Sequence, residues 1–130
     1  MRKLLLVSII TLTTFSVFGQ STSDTPQQNI STDGNVEYRL FATRNMYTFI
    51  KLNTRNGQMW QVQWSTESQY RFETLLSDVS RVNKEDEKNG RFFLYPTTNI
   101  YNFILFDQID GRTWQVQWGK EAERAVIRIY

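Results

Sequence analysis

From residue 36 onward, apolar and polar side chains alternate with a period of two over short runs. These runs are rich in Tyr, Phe, Trp, Ile, Val and Thr, the residue types that are enriched in strands. The pattern predicts eight short β-strands, because each half of the segment contains four such runs.

One segment also fits a helix. Its apolar residues recur at helical spacing, and they are Phe72, Leu75, Leu76, Val79 and Val82. The corresponding segment of the second half, residues 124–130, alternates as a strand does. We therefore predict a strand in both places.

The two halves are copies of one pattern, offset by 54 residues. The segment TRNMYTFIKLNTRNGQMWQVQW at 43–64 aligns without a gap with TTNIYNFILFDQIDGRTWQVQW at 97–118, and eleven of the twenty-two pairs are identical. The similarity continues on both sides of these segments. The sequence therefore contains an internal duplication that fills the predicted domain.

The duplication predicts an all-β fold of about eight antiparallel strands. We place repeat 1 at 36–77 and repeat 2 at 91–130, joined by a charged connector at 78–90 with room for a helical turn. Two tandem four-stranded antiparallel repeats related by a pseudo-two-fold axis would form a small barrel or sandwich, and the sequence leaves that choice open. Pairing between the units would hide the strand edges.

The turn between the second and third strands decides which side chains share a face. Gly57 and Gly111 lie there, and glycine tolerates positive φ. A two-residue turn would pair Leu52 with Gln61, whereas a type I turn with a glycine bulge would pair Leu52 with Trp60. A slip of one residue moves every side chain to the other face, so the hydrophobic pattern predicts the bulged hairpin.

In that register the duplicated motif WQVQW has an inward apolar face. Four tryptophans buried in a small domain would supply a large share of its core. The residues predicted to point inward are Trp60, Val62, Trp64, Trp114, Val116, Trp118, Ile50, Leu52, Ile104 and Phe106.

The opposite face is the candidate ligand face. Flat rings beside paired amides suit sugars or extended peptides, because rings stack on apolar surfaces and amides both donate and accept hydrogen bonds. Two other interpretations remain open: a solvated sheet face, or a face that the two copies bury against each other. The candidate residues are Phe49, Gln61, Gln63, Tyr101, Phe103, Gln115 and Gln117.

The corner between the first two strands of each repeat carries Thr-x-Asn, at Thr43 to Asn45 and at Thr97 to Asn99. An asparagine side chain often bonds the backbone two residues on, so we predict an Asx turn at both corners.

The N-terminus has the pattern of a cleavable signal peptide. Basic residues Arg2 and Lys3 precede an apolar run from Leu4, and the run is shorter than the roughly 20 residues of a spanning helix. We expect cleavage between Gly19 and Gln20, which would leave no transmembrane segment. Residues 20–35 form a polar, disordered leader in this interpretation, and the protein would be secreted or periplasmic.

The amino-acid composition limits the partners, cofactors and reactions that we expect. Removal of the signal peptide would leave 13 basic and 13 acidic residues, so a nucleic acid is not an expected partner. The chain has no cysteine and no histidine, and histidine is the commonest general base and a frequent zinc ligand. Glycoside hydrolysis needs two placed carboxylates, and the pattern gives no reason for any pair to converge. We therefore expect no cofactor, no metal and no enzymatic activity.

The segment RFFLYPTTNIYNFILFDQIDGRTWQVQW resembles a family of small exported proteins, often from Bacteroidetes, with a Leu-Tyr-Pro-Thr strand followed by Asn-x-Tyr-x-Phe and Asp-x-x-x-Gly-x-x-Trp-Gln-Val-Gln. The family is uncharacterised, so the resemblance implies an exported bacterial setting and no activity. Repeat 1 departs from the pattern at Ala42 and Asn53. The repeats also resemble β-propeller blades, but two units cannot close a ring that needs at least four.

These observations predict a non-catalytic exported binding or interaction module whose partner is an unknown protein or glycan. The alternatives are a small exported inhibitor of a hydrolase, with the loops contacting the enzyme, and an enzyme with carboxylate chemistry.

Overall fold

The computed structural model describes Gln28, Ile30 and residues 33–130. The predicted signal peptide and most of the predicted leader therefore lie outside the described residues. Within the described part of the chain, no helix is long and apolar enough to cross a membrane.

Eight strands form two four-stranded antiparallel sheets. In the first sheet the strands are β1 (Tyr38–Ala42), β2 (Thr48–Asn53), β3 (Met59–Gln63) and β4 (Phe72–Ser77). In the second sheet they are β5 (Phe92–Pro96), β6 (Asn102–Asp107), β7 (Thr113–Gln117) and β8 (Ala125–Ile129). The strands of each sheet pair in chain order.

The predicted all-β fold is confirmed. The two sheets are not closed into a barrel and pack as a sandwich. The segment that also fitted a helix is strand β4. Short 3₁₀ turns lie at Ser68–Tyr70 and Glu121–Glu123, and a third, Lys84–Asp86, lies in the connector.

The predicted register of the central hairpin is wrong. Leu52 pairs with Met59 and Ile50 pairs with Gln61, so neither of the two competing registers is formed. Lys51 pairs with Trp60 on the other face. The second sheet has the same register, with Leu105 opposite Trp114.

A longer turn explains the difference. The N–H of Gly57 donates to the carbonyl of Asn53 (3.0 Å), and the N–H of Arg55 donates to the side-chain oxygen of Asn53 (2.9 Å). Gly57 has φ of +83°, which favours glycine. The side chain of Asn53 thus begins the turn three residues before Asn56, and five residues separate the two strands.

We name each face of a sheet after one residue that it carries. We call the face with Trp60 or Trp114 the indole face, and the face with Gln61 or Gln115 the amide face. The amide face of the first sheet packs against the indole face of the second. The core residues from the first sheet are Phe41, Ile50, Leu52, Met59 and Leu76, and those from the second are Phe92, Leu94, Phe103, Leu105, Trp114, Val116 and Trp118.

The sheets therefore bury opposite faces of equivalent strands. A pseudo-two-fold axis would bury the same face of both repeats, so the relation between the units differs from the one we predicted. Trp114 and Trp118 are buried as expected. Trp60 is only partly buried and Trp64 is 43% exposed, so the prediction of four inward tryptophans is wrong for repeat 1.

Gln28 and Ile30 of the predicted leader contact the domain. The side-chain amide of Gln28 donates to the carbonyl of Ala42 (2.9 Å) and accepts from its N–H (2.7 Å). Ile30 packs against the core. This part of the leader therefore contacts the edge strand β1.

Candidate functional site

The seven residues of the predicted ligand face do not lie on one face. Phe49 lies on the exposed indole face of the first sheet, and Phe103 is a core residue. Gln115 and Gln117 lie on the amide face of the second sheet, which points away from the core. The predicted face is therefore divided by the register that the longer turn imposes.

Gln61, Gln63 and Tyr101 do come together. They line a cleft of about 360 Å³ between the ends of the two sheets. We call this hollow the inter-sheet cleft. Its lining consists of Asn45, Thr48, Gln61, Gln63, Phe72, Tyr101, Trp118, Gly119, Lys120, Glu123 and Arg124.

An Asx turn presents Tyr101 to the cleft. The N–H of Tyr101 donates to the side-chain oxygen of Asn99 (3.0 Å), and the hydroxyl of Thr97 donates to the carbonyls of Asn99 (3.2 Å) and Asn102 (2.7 Å). The corner of repeat 1 has the same bonds, with the N–H of Tyr47 donating to Asn45. The predicted Asx turns are confirmed at both corners.

Trp118 fixes the ring of Tyr101 from behind. The two ring centroids lie 5.4 Å apart at 53°, and the indole N–H of Trp118 donates to the carbonyl of Ile100 (3.1 Å). Trp118 is 6% exposed, whereas Tyr101 is 46% exposed. The corner therefore holds an accessible flat ring on a buried support, as a stacking site requires.

Gln61 provides the amide at the base of the cleft. It is 5% exposed, and its Oε1 accepts a hydrogen bond from the N–H of Gly119 (2.8 Å). The donor identifies that atom as oxygen, so the orientation of the amide is determined. Within the described part of the chain, the Nε2 group of Gln61 donates no hydrogen bond. Its two N–H donors are therefore unused in a residue that lines a hollow.

The other side of the cleft is held by Arg124. Its Nε donates to the carbonyl of Gly119 (3.0 Å), and its Nη1 donates to the carbonyl of Leu75 in the first sheet (3.3 Å). The second of these bonds joins the two sheets. The cleft is thus bounded by contacts that span the sandwich.

Two further hollows lie at the aromatic corners. One of about 230 Å³ shares Tyr101 and Trp118 with the inter-sheet cleft. The other, of about 310 Å³, belongs to repeat 1 and includes Tyr47 and Trp64, whose ring centroids lie 5.2 Å apart. The duplicated corner therefore forms a hollow in each repeat. Asn45 of the first corner also lines the inter-sheet cleft, but the aromatic pair that lines it comes from the second corner.

A charged hollow of about 400 Å³ lies by the connector. It includes Arg81, Arg91 and Arg112 together with Asp86 and Asp110. The guanidinium of Arg91 bonds the carboxylate of Asp107 below, and Arg112 contacts both Asp107 and Asp110. Because carboxylates offset the arginines, this hollow carries little net charge for an anion to recognise.

Burial and hydrogen bonds shift the pKa values of three groups in this network. Burial alone would raise the pKa of Asp107, but hydrogen bonds from Arg91 and from the N–H groups of Ile109 and Asp110 hold it below its usual value. The hydrogen bond to Asp107 raises the pKa of Arg91. Burial lowers the pKa of Arg81. Asp107 therefore stays ionised inside the fold.

No group of three or more acidic residues capable of holding a metal ion occurs among the described residues.

Sequence reasoning missed several residues of the cleft. Trp118 was assigned to the core alone, and Lys120, Glu123 and Arg124 were not predicted to belong to a binding site. The repeated Tyr and Trp of each copy were the available signal, since their spacing is the same in both repeats. Their meeting at a corner becomes evident only with the hairpin register.

Comparison of the chain with protein-family models, with curated proteins and with solved structures found no match.

Proposed function

We propose that this protein is a non-catalytic, exported binding module, that its site is the inter-sheet cleft, and that its ligand is a glycan. The observation that supports this most directly is the pairing of an accessible Tyr101 ring with the unused amide donors of Gln61. A sugar offers an apolar ring surface for the first and hydroxyl oxygens for the second.

The lining of the cleft favours a neutral, hydroxyl-rich ligand. Asn45, Gln61 and Gln63 bring amide groups. Lys120 and Glu123 bring opposite charges, and the guanidinium of Arg124 already donates to two backbone carbonyls. Phe72 and Trp118 add apolar surface. Small-ligand sites combine a mostly apolar wall with a few placed polar groups, and a cleft of this volume holds a short oligosaccharide segment.

A binding role is favoured over hydrolysis by the number of acidic groups. Of the described residues that line the cleft, only Glu123 has a carboxylate. Glu73 lies on the indole face of the first sheet, where it pairs with Lys51. Glycoside hydrolysis by the common route needs two carboxylates on either side of one bond.

The test is a pair of arrays, one of glycans and one of peptides, probed with the purified protein and followed by titration of any ligand found. Tyr101→Ala should weaken glycan binding about three- to tenfold, because it removes the stacking ring. The matched control is Tyr47→Ala, which removes the equivalent ring of repeat 1; this ring is 44% exposed and does not line the inter-sheet cleft. The control should bind like the unchanged protein.

Equal losses in both variants would contradict the assignment to the inter-sheet cleft. Binding to peptides alone would contradict the glycan assignment. If the protein binds nothing on either array, the proposed function is wrong.

A further inference from the structure

Both outer surfaces of the sandwich are apolar. The indole face of the first sheet points away from the core and carries Tyr38, Leu40, Phe49, Trp60, Val62 and Leu75. Tyr38 is 50% exposed, Leu40 is 53% exposed and Leu75 is 44% exposed. A contiguous patch of large exposed apolar side chains is typical of an interaction surface.

The amide face of the second sheet is the other outer surface. Its accessible apolar residues are Tyr95, Ile104, Phe106, Ile127 and Ile129, and its polar residues are Asn102, Thr113, Gln115 and Gln117. Phe93, at the edge of this face, packs against Phe41 of the core. Tyr95 is 46% exposed, Ile127 is 56% exposed and Ile129 is 41% exposed. None of the strand residues that share this face is charged. Natural sheets that face water usually alternate with polar residues instead.

Each outer face is the sequence counterpart of a face that is buried in the same molecule. The exposed indole face of the first sheet corresponds to the buried indole face of the second, with Trp60 at the position of Trp114. The exposed amide face of the second sheet corresponds to the buried amide face of the first, with Ile104 at the position of Ile50. Apart from the Lys51–Glu73 pair on the indole face, the two outer faces therefore repeat much of the pattern of the two faces that already pack together.

We propose that the two outer faces bind each other between copies of this protein. The indole face of the first sheet of one copy would lie on the amide face of the second sheet of another copy. The contact repeats the stacking between the two sheets of one chain. Each copy has one face of each kind, so the interface is heterologous and produces a closed ring or an open chain of copies.

The charges on the indole face are compatible with burial. Lys51 forms an ion pair with Glu73 on that face, and its Nζ lies 4.9 Å from the centroid of the Trp60 ring. The pair is neutral as a whole, and the strands of the amide face that would cover it bring no further charge. Docking therefore buries no unpaired charge.

A pairing of identical faces is less consistent with the structure. The fold contains one packed interface between sheets, and it joins an indole face to an amide face. A second copy placed head to tail uses that known contact. Two indole faces would instead place both Lys51–Glu73 pairs in the same interface.

The test uses two variants of the purified protein, each blocked on one face. Leu40→Glu blocks the indole face, and Ile127→Glu blocks the amide face. Each variant alone should be monomeric in sedimentation velocity, whereas the unchanged protein should form species larger than a monomer whose population grows with concentration. An equimolar mixture of the two variants should form a 1:1 dimer and nothing larger, because one complementary pair of faces remains.

The two substitutions introduce the same charge, so opposite charges cannot cause the dimer. Every variant has the same N-terminal segment, so differences between variants report the sheet faces. Ile109→Glu is the control: Ile109 is 57% exposed in a turn, and this variant should associate like the unchanged protein. Circular dichroism checks that each variant is folded.

Two outcomes would overturn the proposal. The first is that the unchanged protein is monomeric at every concentration. The second is that the Ile127→Glu variant dimerises alone and forms no mixed dimer, which would indicate that indole faces pair with each other.

Discussion

Asp107 has a carboxylate that is fully buried at the end of β6. Arg91 holds it with Nε and Nη2 at 2.9 to 3.1 Å, and the side chain of Arg91 is itself only 9% exposed. The equivalent residue in repeat 1 is Asn53, which performs the same turn-forming role without a charge. The ion pair is therefore an addition of repeat 2 that ties β6 to the residue preceding β5.

We expect Asp107→Asn to lower the free energy of unfolding by about 3 kcal/mol, because the nearly buried guanidinium of Arg91 loses its closest counter-charge and keeps the Asp110 carboxylate at 3.5 Å. Urea unfolding of the two proteins at neutral pH measures the difference. The control is Asp110→Asn, whose side chain is 36% exposed and whose loss should cost about 1 kcal/mol or less.

The pH dependence checks the same prediction. Since the folded pKa of Asp107 is lowered, its ionised form stabilises the fold above the unfolded value of about 4, and the contribution is lost as pH falls through the folded pKa. The advantage of the unchanged protein over Asp107→Asn should therefore shrink in acid. A constant difference between pH 7 and pH 2 would contradict the assignment.

Single residues were predictable where their partners are local. The Asx turns at Asn45 and Asn99 followed from the residue type, because each bond reaches only two residues along the chain. The pairing of Arg91 with Asp107 was not predictable, because it requires the pairing of β5 with β6. Gln61 was predicted to lie on an outward face, but it lies on the amide face that the first sheet buries.

At the scale of the element, the central hairpins show what the sequence could and could not specify. All eight strands and the glycine turns were predicted. The register was wrong by one residue because the turn was taken to begin at Asn56 instead of Asn53. Since each shift of one residue reverses the faces, this error placed Trp60 and Val62 on the inner face, whereas they lie on the outer face of the first sheet. Ile104 and Phe106 were likewise predicted to point inward but lie on the outer face of the second sheet.

The two turn glycines occupy different surroundings. Gly57 and Gly111 both have positive φ, of +83° and +81°. A Cβ on Gly57 would approach Arg81 at 3.2 Å and both Phe92 and Leu105 at 3.4 Å, whereas a Cβ on Gly111 would meet nothing within 4 Å. The first turn therefore packs against the second sheet, while the second turn is free of such contacts.

We expect Gly111→Ala to lower the free energy of unfolding by about 1 to 2 kcal/mol, from backbone strain alone. Gly57→Ala should lower the free energy of unfolding further, because the added Cβ would also crowd Arg81, Phe92 and Leu105. Thermal and urea unfolding of both variants measure the contrast. Equal costs would show that the first turn does not contact the second sheet as described.

At the scale of the whole molecule, the two sheets share one core. Phe41 and Leu52 from the first sheet belong to the same cluster as Phe92 and Leu105 from the second. The second sheet buries the amide face of the first, and the first sheet buries the indole face of the second. The repeats should therefore unfold together as a single cooperative unit.

Fluorescence can test this cooperativity. In the double variant Trp60→Phe with Trp64→Phe, the remaining indoles, Trp114 and Trp118, report on the second sheet alone, while far-ultraviolet circular dichroism reports on both sheets. The two urea transitions should coincide in midpoint and slope. Separate transitions would show that the sheets unfold independently.

The fold class was predictable because duplication and alternation are properties of the sequence itself. The way in which the repeats pack was not, because each repeat has two apolar faces and the sequence does not say which of them meet. Similar residues at equivalent positions suggested symmetric packing. The packed pair is instead one indole face and one amide face, and this arrangement brought Gln61 and Tyr101 to one cleft.

The stacking of the sheets also makes equivalent positions of the two repeats differ in the charge that they tolerate. Leu105 is fully buried, and the equivalent residue in repeat 1 is Lys51, which is partly exposed. A lysine at position 105 would place an ammonium group in the interior opposite Trp114, and the residue equivalent to Glu73 there is Val126, which offers no counter-charge. The two copies of this position are therefore not interchangeable, because each lies at a different place in the stack of sheets.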